Sequence, residues 1–218
     1  MSDDGGLQYH QQYGQFQQER EMGRYASDSG EHFEQAPAGN HVARCIRLID
    51  LGTQRGEYQG KPIVRNQVLV TWELCNEMME DGKPFSVSRF YTNSLNEKAN
   101  LRADLESWRG RAFSPEELVK FDLQGILGKP CMLNVVHSDK GKAQVSSIAT
   151  LPKGMTAPEP VNPLLAFWID EWNQATFDGL GDGLKKIIMQ SDEFNQRGAP
   201  PPKTTSKTAT IDDEEIPF

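Results

Sequence analysis

IVRNQVLVTWEL, residues 63–74, decides the fold. Val64, Val68, Val70, Trp72 and Leu74 fall on one face of an extended chain, and Arg65, Gln67, Leu69, Thr71 and Glu73 on the other. That period of two is a strand with one face in a core, and it makes Trp72 a core residue rather than a stacking platform. Upstream, HVARCIRLIDLG (41–52) reads as another strand, rich in β-branched residues and Leu and ended by Gly52. Between them, TQRGEYQGKP (53–62) reads as a glycine-punctuated loop carrying Arg55, Tyr58 and Lys61. Downstream, NEMMEDGKP holds an Asp81-Gly82 turn signal, and FSVSRFYT (85–92) is a third strand. Residues 41–92 are therefore expected to form an antiparallel meander.

A helix should follow. Ser94 and Glu97 have capping-box spacing, and Leu101, Leu105 and Trp108 share one helical face. A second, short helix is expected at Ser114-Pro115-Glu116-Glu117, with Ser114 as cap and Phe113 and Leu118 at hydrophobic-staple spacing. Two more strands, PCMLNVVH (130–137) and AQVSSIATL (143–151), flank an SDKGK turn. A mainly β chain of five strands, with helices between the third and fourth, has the element order of an OB-fold barrel. Another small five-stranded barrel or an α+β sheet is the alternative. Residues 163–196 are expected to add a helical extension packed on the barrel.

The flanks differ from this middle. The chain has 218 residues and a net charge of −8. Residues 39–155 hold sixteen Lys/Arg against thirteen Asp/Glu, a net of +3, whereas residues 1–38 carry −5 and residues 156–218 carry −6. The leader, 1–38, is Gln-rich with scattered aromatics and contains no Val or Ile. So little aliphatic surface cannot offset the entropy of ordering, and disorder is expected. Such a polar and aromatic segment can self-associate weakly or stack on bases, the alternative being a passive leader. Residues 199–218 open with a proline run and close on Asp212-Asp213-Glu214-Glu215-Ile216-Pro217-Phe218, a disordered linker with a terminal peptide. The domain plan is thus a leader (1–38), a binding domain (39–155), a helical extension (156–198) and a linker with its tip (199–218). No apolar run reaches the roughly 18 residues of a membrane span. MSDDGG lacks the layout of a secretory signal. Three cysteines (Cys45, Cys75, Cys131) with no CxxC spacing point to a reducing, intracellular setting without structural zinc.

Little points to catalysis. His10, His32, His41 and His137 are dispersed, with no HExxH spacing. There is no GxSxG. Gly179 to Lys185 fails the phosphate-loop spacing and reads as a connection between helices. The acids at 212–215 lack the spaced ligands of an EF-hand. No cofactor and no metal are expected. Single-strand binders, by contrast, combine a positive groove with aromatic platforms. In OB-folds that groove crosses strands 2 and 3, between the loops joining strands 1–2 and 4–5. On this chain those parts carry Arg55, Tyr58 and Lys61 in the first loop and Lys140 and Lys142 in the last. The strands add Arg44, Arg47, Arg65, Arg89, Phe90 and Tyr91. Phe90 and Tyr91 face opposite ways, so at most one of them can be a platform. Tyr58, on a loop, is the leading stacking candidate.

Two resemblances sharpen this. Asp212 to Phe218 resembles the acidic tip of bacterial single-stranded DNA-binding proteins, several acids followed by Ile-Pro-Phe. The resemblance implies that the tip recruits replication, recombination and repair proteins. Physically, the Phe218 ring can fill an apolar pocket while its carboxylate meets a basic rim. Pro217 limits the backbone states lost on binding, and the acids steer the tip toward basic partners. The run RLIDLGTQ…YQGKP…VLVTWEL…DGKPFSVSRFYTNSLNEKANLRADLESWRGR, with FDLQGILGKPCMLNVVH after it, resembles bacteriophage-encoded OB-fold single-stranded DNA-binding proteins over about residues 41–155. It implies a non-catalytic binder of single-stranded DNA, working on replicating DNA in the cytoplasm of a bacterial host. The barrel does not closely resemble the bacterial host protein, and the two-helix insertion departs from its pattern, so that protein's homotetramer is not carried over. Two other readings stay open: an interaction protein that mimics the host tip without binding DNA, and a metal-dependent DNA-processing enzyme.

Overall fold

The computed structural model describes residues 34–197. Most of the leader, and the tip residues Asp212, Asp213, Glu214, Glu215, Ile216, Pro217 and Phe218, lie outside the described residues. In the compact unit that begins at Gln35, three long strands come first: β1 (Gly39–Tyr58), β2 (Lys61–Met78) and β3 (Pro84–Thr92). Two short helices, α1 (Asn100–Arg109) and α2 (Pro115–Val119), and a 3₁₀ turn (Leu123–Ile126) lead to β4 (Pro130–His137) and β5 (Ala143–Ala149). The chain ends in β6 (Leu165–Phe167), α3 (Gln174–Asp178), α4 (Asp182–Met189) and α5 (Asp192–Gln196).

The fold is mainly β, with strand order β3-β2-β1-β4-β5 and neighbours antiparallel. β1 is long enough to serve two partners on one edge. Its first residues pair with β4 (Gly39↔Val135 to Arg44↔Pro130), and β6 then pairs parallel to it (Arg47↔Leu165 to Ile49↔Phe167). The sheet does not close through hydrogen bonds: β3 and β5, its two ends, lie near one another without a ladder. Helix α1 contacts both of these strands and is tied to β4 by the Trp108 indole, which donates to Pro130 O at 2.7 Å.

The alternation of 63–74 holds in part: Val64 is exposed on the arm, and from Val68 onward both faces are buried. Val68, Val70, Trp72 and Leu74 lie in the main core, where Trp72 meets Trp108 (ring centroids 6.0 Å apart) and Tyr91 (6.5 Å). Cys45, Cys75 and Cys131 are buried free thiols; desolvation pushes Cys45 up to about 12 and raises the other two, so none is a ready nucleophile.

Three expectations change. Residues 53–62 are no loop: the ladder runs to Tyr58↔Lys61, and Gln59 (φ 52°) and Gly60 (φ 74°) form a two-residue turn of the type that matches strand twist. The polar residues of this exposed arm carried no burial pattern to mark it as strand. The first helix starts at Asn100 rather than beside Ser94, because the Ser94 hydroxyl accepts from Asn96 N (3.1 Å) and turns the loop instead; the N-cap is Ala99, with no side-chain cap. The 163–196 extension is not wholly helical, since it opens with β6.

The second helix starts as expected. Ser114 accepts from Glu117 N, and the Glu117 carboxylate accepts from Ser114 N. That carboxylate also takes Arg111 (2.8 Å) and Arg109. Arg111, the Ser114 amide and Arg109 together hold the Glu117 pKa down to about 2. A carboxylate whose folded pKa is depressed contributes stability that is present above its unfolded range and lost as pH falls through the folded value. Glu117→Gln is therefore expected to lower the melting temperature near neutrality and to converge with the wild type by about pH 2, as thermal melts across that range would read.

The extension docks. Phe167, Ile169, Phe177, Leu180 and Ile188 form a second core with Ile49, Leu51 and Leu69 on the outer face of β1 and β2. Gly52 makes room for it: its φ is +68°, and a Cβ there would stand 2.7 Å from both Ser191 Cβ and Glu193 Oε2. The strap leading into the extension is gripped by a cross-strand pair of opposite charge, Arg44↔Glu73. Arg44 donates to the carbonyls of Ala157 (2.8 Å) and Pro158 (3.0 Å). The buried Glu73 carboxylate accepts from the amides of Val161 and Asn162 (both 2.8 Å) and from the Asn162 side chain (2.7 Å). Cation meets carbonyls and anion meets amides, so both charges are satisfied on burial.

Candidate nucleic-acid interface

The strap and extension cover the outer face of β1 and the middle of β2, and this sorts the candidate residues. Arg44 is bound to the strap and to Gly128 O (2.7 Å). Arg47 stands between Thr71 of β2 and Leu165 of β6, and its Nε is buried. Arg89 faces inward and pairs with Asp104 (3.0 Å). Tyr91 is buried in the main core, and its hydroxyl donates to Asp104 at 2.7 Å. Desolvation and the Asp104 charge both raise the Tyr91 pKa. Arg44, Arg89 and Tyr91 are thus engaged by partners within the fold, and the Arg47 Nε is buried without a hydrogen-bond partner among the described residues.

Arg55 is exposed, but Asp192 of α5 takes its guanidinium through two 2.7 Å hydrogen bonds. That geometry is the one an arginine offers to a phosphate. As a largely solvent-exposed pair it is screened and easily exchanged. Lys140 and Lys142 are exposed in the β4–β5 turn. The register sets that turn beside the start of the 20-residue β1, while Tyr58 and Lys61 stand at its far end. The two loops do not meet.

What remains open is continuous. On β3 the outward residues Ser86, Ser88, Phe90 and Thr92 are all exposed, and Phe90 keeps 53% of its surface in solvent. Arg65 and Gln67 share that outer face on β2. The loop after β3 folds over them, its Asn96 side chain accepting from Lys98 N (3.1 Å). Arg65, Gln67, Phe90, Thr92, Asn96 and Lys98 line a cleft of about 490 Å³, with Phe90 in its wall and the two cations at its edge, within the roughly 300–1,000 Å³ usual for ligand clefts. Beyond it the β1–β2 arm carries Lys61 and Tyr58, the latter 59% exposed.

Phe90 and Tyr58 are the two aromatic rings with more than half their surface open among the described residues. Lys98 was missed from sequence because it falls inside a run read as a helix start. Its legible signal is position: a cation in the connection that follows the third strand.

Against known proteins, no family model matches this chain and no curated protein matches it significantly. Among the described residues no helix is long and apolar enough to cross a membrane, and no cluster of His, Cys, Asp and Glu is arranged to hold a metal ion.

Proposed function

We propose that this protein binds single-stranded DNA non-catalytically and with little sequence preference, on an OB-type barrel whose working face is the outer side of β2 and β3. The observation that carries the reading is the Phe90 cleft, an exposed ring flanked by Arg65 and Lys98 on an otherwise polar sheet face. An aromatic platform can stack a base of any identity, while the cations follow the phosphates. The barrel reading is supported by β1 being shared between β2 and β4, by the nearness of β3 to β5, and by the helix that spans them. The +3 balance of residues 39–155 fits a polyanionic ligand.

In the same reading the Asp212–Phe218 peptide recruits proteins of replication, recombination and repair, and the setting is phage DNA in a bacterial cytoplasm. Fluorescence anisotropy with labelled oligo-dT at rising salt tests it. Micromolar or tighter binding is expected at low salt, weakening steeply as counterions compete. Removing residues 212–218 should leave that binding in place. No binding at low salt would overturn the proposal and leave the tip-mimic reading, in which the same deletion removes all activity.

A further inference from the structure

The β1–β2 arm reaches beyond the other ladders of the sheet. β2 meets β3 only from Gln67 onward, and β1 has left β4 and β6 behind after Ile49. Two hydrogen bonds show which arm residues turn their backbone groups outward. Thr53 N donates to Glu193 Oε2 (2.6 Å), and Asn66 O accepts from Asn93 N (2.8 Å); Thr53 and Asn66 are cross-strand partners. Antiparallel pairs alternate between bonding each other and facing away. Arg55↔Val64 and Glu57↔Pro62 therefore also point their N–H and C=O groups out of the ladder.

The two edges of the arm differ. On the β2 edge Pro62 has no N–H to offer, which blunts it. On the β1 edge Arg55, Gly56, Glu57 and Tyr58 are exposed, and the backbone groups of Arg55 and Glu57 meet no partner there among the described residues. This open edge is bounded at one end by Glu193 on Thr53 and at the other by the turn that starts at Gln59. What lies between is residues 54–58, with Gly56 at the middle.

We infer that this edge pairs antiparallel with the same edge of a second copy of this chain, about a two-fold axis through Gly56. Only that register uses the whole open stretch of both copies. It sets Arg55 opposite the second copy's Glu57, and Glu57 opposite the second copy's Arg55. Each is then a hydrogen-bonded pair of opposite charge, the favourable cross-strand combination. Asp192 occupies Nε and Nη2 of Arg55, which leaves Nη1 for the incoming carboxylate. At the axis the two Gly56 Cα atoms approach to about 4.5 Å, the spacing of a non-hydrogen-bonded pair. Gly56 lies outside the left-handed region, so its own conformation does not demand a glycine, whereas a close backbone approach suits one. The contact is small, below the roughly 1,200 Å² of stable interfaces, and gives a concentration-dependent dimer. It does not depend on the single-strand reading.

Sedimentation velocity of the full chain without DNA tests it. The mean mass should rise from monomer toward dimer between roughly 10 µM and 1 mM, the range of small, weak interfaces. Glu57→Pro removes one outward N–H and no bond within the arm; it should stay monomeric with its melting temperature unchanged. Glu57→Arg and Arg55→Glu each set like charges face to face, so each alone should be monomeric. Their equimolar mixture restores opposite charges at both pairs and should dimerise. Gly56→Cys should link across the axis under oxidised glutathione, since the spacing suits a disulfide. A Cβ at 56 meets only Ile63 Cγ1, at 3.8 Å, and the chain's own cysteines are buried. Lys61→Cys, on the other strand of the arm, should link far more slowly. A wild type that stays monomeric up to about 1 mM, dimers that survive Glu57→Pro, a charge-swapped mixture that stays monomeric, or equal linking of the two cysteine variants would overturn the pairing.

Discussion

Phe167→Ala is expected to lower the unfolding free energy by about 3–5 kcal/mol, the usual cost of deleting a buried aromatic side chain. The residue is 2% exposed and joins the extension to the sheet in two ways at once. Its backbone pairs with Ile49 as the last residue of β6. Its ring lies at the centre of the second core, 5.1 Å from Trp172 and 6.0 Å from Phe177. Truncation leaves a cavity between a rigid strand and three short helices. None of those helices is long enough to stand alone, since isolated helices below about 12–15 residues are marginal in water. At about 2–4 °C per kcal/mol for a chain of this size, the melting temperature should fall by about 6–20 °C. Tryptophan emission in a urea titration resolves where the loss occurs. Trp172 sits in the second core and Trp72 and Trp108 in the first, so an early red shift should report the extension leaving before the main sheet unfolds. A loss below about 1 kcal/mol would mean that the second core is no core.

The sequence speaks clearly where one face of an element is buried and the other wet. In 63–74 the alternation names Val68, Val70, Trp72 and Leu74 correctly as inward, but not Val64, which lies on the exposed arm beyond the reach of the core. It cannot show that Leu69 on the other face is also buried, because the partners that cover it, Phe167 and Ile169, lie about a hundred residues away in sequence. The same holds for β6. Leu165–Phe167 is a strand only because β1 offers an unpaired edge beyond its β4 partner, a tertiary fact with no local signature. For the site, residue type found the cations but not their obligations. Arg44 and Lys61 look alike as basic residues of 41–62, yet one grips the strap while the other stands on the exposed arm. Alternation alone did separate Phe90 from Tyr91, since adjacent strand residues must part between surface and core.

The Phe90→Ala, Arg65→Ala double variant should lose single-strand affinity more than any other pair on this surface. A stacked base is worth roughly 1–3 kcal/mol, so deleting the Phe90 ring alone should weaken oligo-dT binding by about 5- to 150-fold. Losing Arg65 removes one phosphate contact. On single strands each such contact contributes about 0.7 to the slope of log K against log salt, so the variant's slope should be shallower by about that amount. The two effects are separable by design. Phe90→Ala alone should shift the salt line down without tilting it, and Arg65→Ala alone should tilt it. Stability should change little, because Phe90 is half exposed and Arg65 is exposed and makes no ion pair among the described residues. Arg55→Ala is the contrasting case. Its guanidinium is already held by Asp192, so a phosphate can take it only by displacing that carboxylate. Asp192→Asn should therefore tighten binding at low salt if Arg55 reaches the strand, and Arg55→Ala in that background should cancel the gain. An unchanged affinity in the Phe90→Ala, Arg65→Ala variant would remove the outer face of β2 and β3 from the binding surface altogether.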